Sequence, residues 1–203
     1  MKQRRWFIIV PLLTVLLCIV CLSSQSYSQQ TIRPWLTSGN MEEWLIRVLR
    51  NVRFIYDGQE VSVRSMGGSN AAEFMLRKLA HMVLYGSLSF TMLMAAWVLM
   101  PWRKGVSVAV TLGLALLLAL ADEFNQQFSV ERTASLADVG IDMVGAALGV
   151  ILFLIGSLLY TQRQERLAYK ANSRRRLMRI FYGMDDTNRI ERERDRHKRQ
   201  GGI

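Results

Sequence analysis

The chain has 203 residues, is 51% hydrophobic, has positive mean hydropathy, and still carries a formal charge of +10. The apolar residues fall in four blocks and much of the basic excess lies at the C-terminal end, which is the layout of a small integral membrane protein. A soluble nucleic-acid binder accounts for the charge but not for the blocks, and the C-terminal tail lacks a recognition module, so nucleic acid is not an expected partner.

The first block, WFIIVPLLTVLLCIVCL at 6–22, follows MKQRR and is short for a span. No clear small-x-small cleavage site follows it, so an uncleaved anchor is favoured over a signal peptide. Cys18 and Cys21 have CxxC spacing without a redox context and read as small hydrophobes. Ser23, Ser24 and Gln25 then emerge at the mouth of the bundle. The long connection to about residue 78 contains MEEWLIRVLRNVRFIY, where Trp44, Leu45, Val48, Leu49, Val52 and Ile55 recur at helical spacing. An amphipathic helix is expected, either on the membrane surface or closing the bundle. YDGQ and MGGSN read as turns.

The second block runs from about 79 to 100, with His81 near its start and PWRKG after it. The third, 106–121, must extend into DEFNQ to reach bilayer length. The fourth runs from about 136 to 160 and carries Asp138 and Asp142 at its start, with Ser135 placed to cap it. Gly145 and Gly149 form a GxxxG pattern suited to close helix packing. Residues 1–160 are therefore expected to form the membrane domain and 161–203 a basic tail with thirteen Lys or Arg against six acids. Three basic residues in MKQRR, two in PWRKG and thirteen in the tail, against only Arg132 in the DEFNQ connection, place both termini inside by the positive-inside rule. The expected fold is all-α: four transmembrane helices, both termini cytoplasmic, and a long first extracytoplasmic connection.

This topology brings four distant features to one membrane level: Ser23–Gln25, His81, the Asp122–Glu123–Gln126 helix end, and Asp138 with Asp142. Asp122 and Gln126 share a helical face, as do Asp138 and Asp142, while His81, Tyr85 and Leu88 form a stripe with Lys78 just outside it. Carboxylates inside a membrane are costly unless paired, neutral or facing a wet cavity. Both a functional pocket and structural helix-end polarity fit the pattern. One histidine and no placed cysteine is a poor zinc signature, so no metal or other cofactor is expected.

At these residues the sequence resembles the VanZ-like family of small bacterial membrane proteins. RKLAHMVLYGSL carries Lys78, His81, Tyr85 and Leu88 on the family pattern. DEFNQQFSVERTASLADVGIDMVGAALG carries Glu123, Gln126, Arg132, Ser135, Asp138, Gly145 and Gly149, and SSQ after the first span is similar too. Two positions depart from the pattern: Val130-Glu131 stands where the family often has Pro-Gly, and Asp142 where it often has asparagine. The resemblance implies a multi-pass protein of the bacterial cytoplasmic membrane, with a link to the cell envelope and to susceptibility to the glycopeptide teicoplanin.

The expected function is an outward-facing pocket that binds or modifies an envelope lipid or lipid-linked precursor. His81, Glu123 and Asp122 are the candidate catalytic residues, with Glu123 exchanging the proton. Lys78, Tyr85, Gln126, Arg132, Ser135 and Asp138 are the candidate substrate-binding residues, with Lys78 and Arg132 holding an anionic group. Membrane lipids are the expected partners, and a homo-oligomer is a further expected association. A noncatalytic scaffold and an oligomeric transporter are the competing readings.

Overall fold

A computed structural model describes residues 2–99, 103–127 and 135–200. Four long helices dominate it: α1 (Lys2–Ser23), α6 (Gly68–Leu99), α7 (Lys104–Gln126) and α8 (Leu136–Gln200). Each is long and apolar enough to cross a membrane. At 1.5 Å per residue, even the 22 residues of α1 extend about 33 Å, the thickness of a hydrocarbon core. The chain divides into two compact units, Met1–Leu154 and Ile155–Ile203. The described residues of the second unit are helical through Gln200.

Within the first unit, α6 packs against both α1 and α7. The buried core draws on all four long helices: Ile19 from α1, Tyr85 and Leu88 from α6, Ala119 from α7 and Val139 from α8. Lipid provides no hydrophobic drive between helices, so close approach through small residues matters instead. Gly145 and Gly149 of α8 meet the α6 backbone directly. A Cβ added at Gly145 would lie 2.2 Å from the Met82 carbonyl oxygen, and one at Gly149 would lie 2.0 Å from that of Gly86. The GxxxG pattern is thus a packing seam between α6 and α8. On α7 a stripe of Ser107, Thr111, Ala115 and Ala119 is buried at four-residue spacing, ending on Asp122 and Glu123.

The connection between α1 and α6 is folded. It contains α2 (Tyr27–Gln30), α3 (Arg33–Leu36), α4 (Met41–Leu49), an antiparallel hairpin of β1 (Arg53–Tyr56) and β2 (Gln59–Ser62), and α5 (Val63–Met66). The amphipathic helix expected over MEEWLIRVLRNVRFIY is therefore only partly right. It stops at Leu49, and RFIY is a strand paired with QEVS. Asp57 and Gly58 both adopt positive φ, 49° and 77°, giving the two-residue hairpin turn that matches strand twist. The adjacent β-branched and aromatic residues favour the pleated form over the helix. Helix α4 packs on α6, with Ile46 against Gly68, and buries Leu45, while Met41, Trp44 and Val48 stay exposed along one stripe. It thus covers part of α6 and keeps an apolar outer face.

Helix α6 begins eleven residues earlier than the second block suggests, at Gly68 rather than about 79. Ser62 caps α5, Gly67 turns the chain with a φ of 85°, and the helix runs from there. This extra length adds Glu73 and Arg77 to the same helix as His81. Helix α8, in turn, continues past residue 160 into the basic segment.

Candidate functional site

Glu73, Arg77, His81 and Tyr85 recur every four residues on α6, so they share one face. That face borders a cleft of about 420 Å3. Its apolar wall includes Ile19 and Leu22 of α1 with Leu76 and Leu84 of α6. Its polar lining includes Ser23, Gln25, Glu73, Arg77, His81, Tyr85 and Asp122. Arg77 pairs with Glu73 at 3.1 Å, and Thr31 donates to the other Glu73 oxygen at 3.2 Å.

Deeper in, three helices converge. His81 Nδ1 lies 3.3 Å from Asp142 Oδ1 of α8. The contact has ion-pair distance but not the alignment of a hydrogen bond, so both Asp142 oxygens lack a hydrogen-bond donor although the residue is 0% exposed. Asp122 of α7 accepts from Gln126 Nε2 at 3.0 Å. One ring nitrogen of His81 and one oxygen from each of Asp122 and Asp142 lie within 4.8 Å of one another. The Tyr85 hydroxyl is buried nearby, also without a partner. Unpartnered buried polar atoms cost about 1–3 kcal/mol each, more if charged, and native structures hold few of them.

The remaining predicted site residues lie elsewhere. Lys78 is one position along from Arg77 and faces the other side of α6. There it pairs with Asp138, which also accepts from the Tyr56 hydroxyl. Its ammonium lies 5.0 Å from the Tyr56 ring centre and 5.2 Å from that of Phe74. Burial first, and then the Asp138 hydrogen bond, push the Tyr56 hydroxyl far above the usual phenol range. Lys78 and Asp138 thus hold each other and do not border the cleft.

Glu123 and Ser135 form a helix cap. The Ser135 side chain accepts from the Ala137 N–H at 3.1 Å, as the sequence suggests, and the Ser135 N–H donates to Glu123 Oε2 at 2.9 Å. A capping box would draw that second bond from Asp138, but Asp138 is engaged by Lys78 and Tyr56, and a carboxylate from α7 takes its place. Glu123 Oε1 is buried without a partner. Gln126 orients Asp122. Arg132 and the Val130-Glu131 pair lie outside the described residues. The α1 end meets the α7 end where Asn125 Nδ2 donates to Ser23 Oγ at 3.4 Å.

One cleft residue escaped the sequence reading, Arg77, the permanent cation among the residues that line the cleft. Asp142, which the sequence places in the polar cluster without a site role, is the carboxylate facing His81. The signal for Arg77 was present as the four-residue polar period 73, 77, 81, 85, which becomes visible once the helix is started at Gly68.

Residues 7–159, three quarters of the chain, match the family model described as VanZ/LLP1. The chain belongs to the VanZ/LLP1 family. No curated protein and no solved structure matches it. With its four apolar helices, this VanZ/LLP1 protein is a multi-pass membrane protein. The matched segment contains both the cleft and the Lys78–Asp138 pair.

Proposed function

We propose that the cleft binds an anionic envelope lipid or lipid-linked precursor at the outer face of the bacterial cytoplasmic membrane. The observation that carries this reading is the joining of an apolar wall to a polar floor at which the Tyr85 hydroxyl and, beneath it, both Asp142 oxygens lack hydrogen-bond partners. An acyl or prenyl chain fits against Ile19, Leu22, Leu76 and Leu84. The headgroup meets Arg77, His81, Tyr85 and Asp122. Arg77 takes the anion-holding role that sequence alone assigns to Lys78. The orientation follows from the Lys and Arg distribution, with both termini inside. Withholding or altering a lipid-linked precursor would change glycopeptide susceptibility as a consequence.

Two experiments test this. Native mass spectrometry of the purified protein with an anionic phospholipid should show saturable binding that Arg77→Ala and Leu84→Trp both weaken at least tenfold. Equal binding by both variants would sink the reading. For orientation, Asp57→Cys at the hairpin tip, in a Cys18→Ser/Cys21→Ser background, should react with an impermeant maleimide on intact cells. Reaction only after lysis would reverse the topology.

The noncatalytic scaffold reading is favoured by one specific observation: Lys78, Asp138 and Ser135 are committed to holding helices and the hairpin together. It accounts for that side of the bundle but leaves the unpartnered cleft atoms without a purpose.

A further inference from the structure

We infer that the deep end of the cleft is a divalent-cation site, with His81, Asp122 and Asp142 as its protein ligands and the phosphate of the bound lipid as the group that completes it. The inference rests on the lipid reading above and gives that reading a second positive charge beside Arg77.

The ligand atoms come from α6, α7 and α8 and lie within 4.8 Å of one another. Metal–ligand bonds of about 2.0–2.2 Å place adjacent ligand atoms about 3–4 Å apart, so rotations of about 1 Å at the side-chain ends close the set. Gln126 donates to one Asp122 oxygen at 3.0 Å, which fixes that carboxylate and leaves its other oxygen for a cation.

Two further observations point independently to a ligand. Asp142 is 0% exposed and neither of its oxygens receives a hydrogen bond. The Tyr85 hydroxyl, on a residue 1% exposed and bordering the same cleft, is also unpartnered. A protonated Asp142 has only the misaligned His81 Nδ1 at 3.3 Å as an acceptor and leaves its second oxygen unpartnered, whereas a cation satisfies both carboxylates at once. Charge accounting leads to the same place. As a metal ligand His81 is neutral, so Asp122 and Asp142 then sum to −2, while Lys78 faces Asp138 and Arg77 faces Glu73. A divalent ion brings the trio to zero and presents an electrophile to an anionic headgroup, which the acidic floor would otherwise repel.

The donor set of one imidazole and two carboxylates, with no thiolate, suits zinc or manganese better than soft copper(I). The two cysteines are exposed on α1 and do not border the cleft.

The test uses full-length protein in detergent, stripped with a chelator and then titrated with zinc or manganese chloride, with bound metal counted by mass spectrometry. Wild type should take up one ion per chain. Asp142→Asn and His81→Gln should each weaken binding by about 100-fold, at least the loss expected from disturbing a metal's immediate surroundings. His197→Ala, which alters the only other histidine, should bind as wild type. Size-exclusion elution and circular dichroism report folding, and the wild-type stoichiometry stands even if a variant misfolds. No saturable uptake by wild type, or equal uptake by wild type and both folded cleft variants, overturns the site. Lipid binding is measured on the same stripped samples. Lipid retained without any metal uptake overturns the cation site and leaves the lipid reading intact. One ion per chain with no lipid bound does the reverse.

Discussion

The two sides of α6 carry the same kinds of residue and treat them in opposite ways. On one side, Lys78, Asp138 and Tyr56 close a triad in which each polar group has a partner and an aromatic ring covers the ammonium. On the other, Asp142 and Tyr85 are more deeply buried than Lys78 and Asp138, yet the Asp142 oxygens and the Tyr85 hydroxyl have no hydrogen-bond partner. The first side ties the hairpin to the starts of α6 and α8. The second opens on a cleft that has an apolar wall. Residue type and membrane level do not distinguish the two sides, and hydrogen-bond accounting does.

The largest effect should come from removing the seam both sides share. Gly149→Leu forces a side chain into the Gly86 carbonyl, where even a Cβ would approach to 2.0 Å. The cost exceeds the ordinary overpacking range of about 1–3 kcal/mol, and expression should yield little folded protein by fluorescence-detected size exclusion. Folded protein at wild-type yield would mean that α6 and α8 do not meet this way.

Asp138→Ala attacks the satisfied side alone. It strands Lys78 and Tyr56, so thermal melting in detergent should report a loss of about 3 kcal/mol, with lipid affinity unchanged at temperatures where the variant is folded. Lost lipid binding without lost stability would erase the distinction between the sides. Glu123→Ala should cost about 1–2 kcal/mol, because it removes the acceptor for the Ser135 N–H. Glu123→Gln keeps an acceptor oxygen and should stay close to wild type. A large selective loss of lipid binding or turnover in the glutamine variant would restore Glu123 as a catalytic group.

Tyr56→Phe is the mildest change, at about 1 kcal/mol for the lost hydrogen bond to Asp138. It also has a pH signature. The folded phenol is held above the value of about 10 that an exposed tyrosine shows. Its contribution is therefore complete below pH 10 and fades as pH climbs through the folded value. Wild type and Tyr56→Phe should release the same number of phenol protons up to about pH 11, read as absorbance at 295 nm. One proton fewer from the variant would place Tyr56 in open solvent.

Much of this bundle was legible from local sequence. Hydropathy locates all four long helices, and DEFNQ belongs to the end of the third because a sixteen-residue block is too short to cross a bilayer. The GxxxG seam and the Ser135 cap were readable for the same reason, since each depends on neighbours within a few residues. The hairpin was missed because a helical period of apolar residues ran through Val52 and Ile55, and the Asp57-Gly58 turn decided the matter from downstream. The exchange of Lys78 for Arg77 has another cause. Adjacent helical residues point about 100° apart, and only the packing of α1 on one side and the hairpin on the other says which cation sees the cleft. Asp142 is one of the two places, with Val130-Glu131, where the sequence departs from the pattern of the family it resembles. That departure turns out to sit directly against His81.

The central claim is that one side of α6 serves a ligand and the other serves the fold. It is tested most directly by measuring melting temperature and anionic-lipid affinity together for His81→Ala and Lys78→Ala. The account predicts a crossed result: His81→Ala melts near wild type and binds lipid at least tenfold more weakly, while Lys78→Ala melts several degrees lower and binds lipid normally when folded. If both variants lose stability and affinity in parallel, the two sides form one structural network and the cleft is not a separate site.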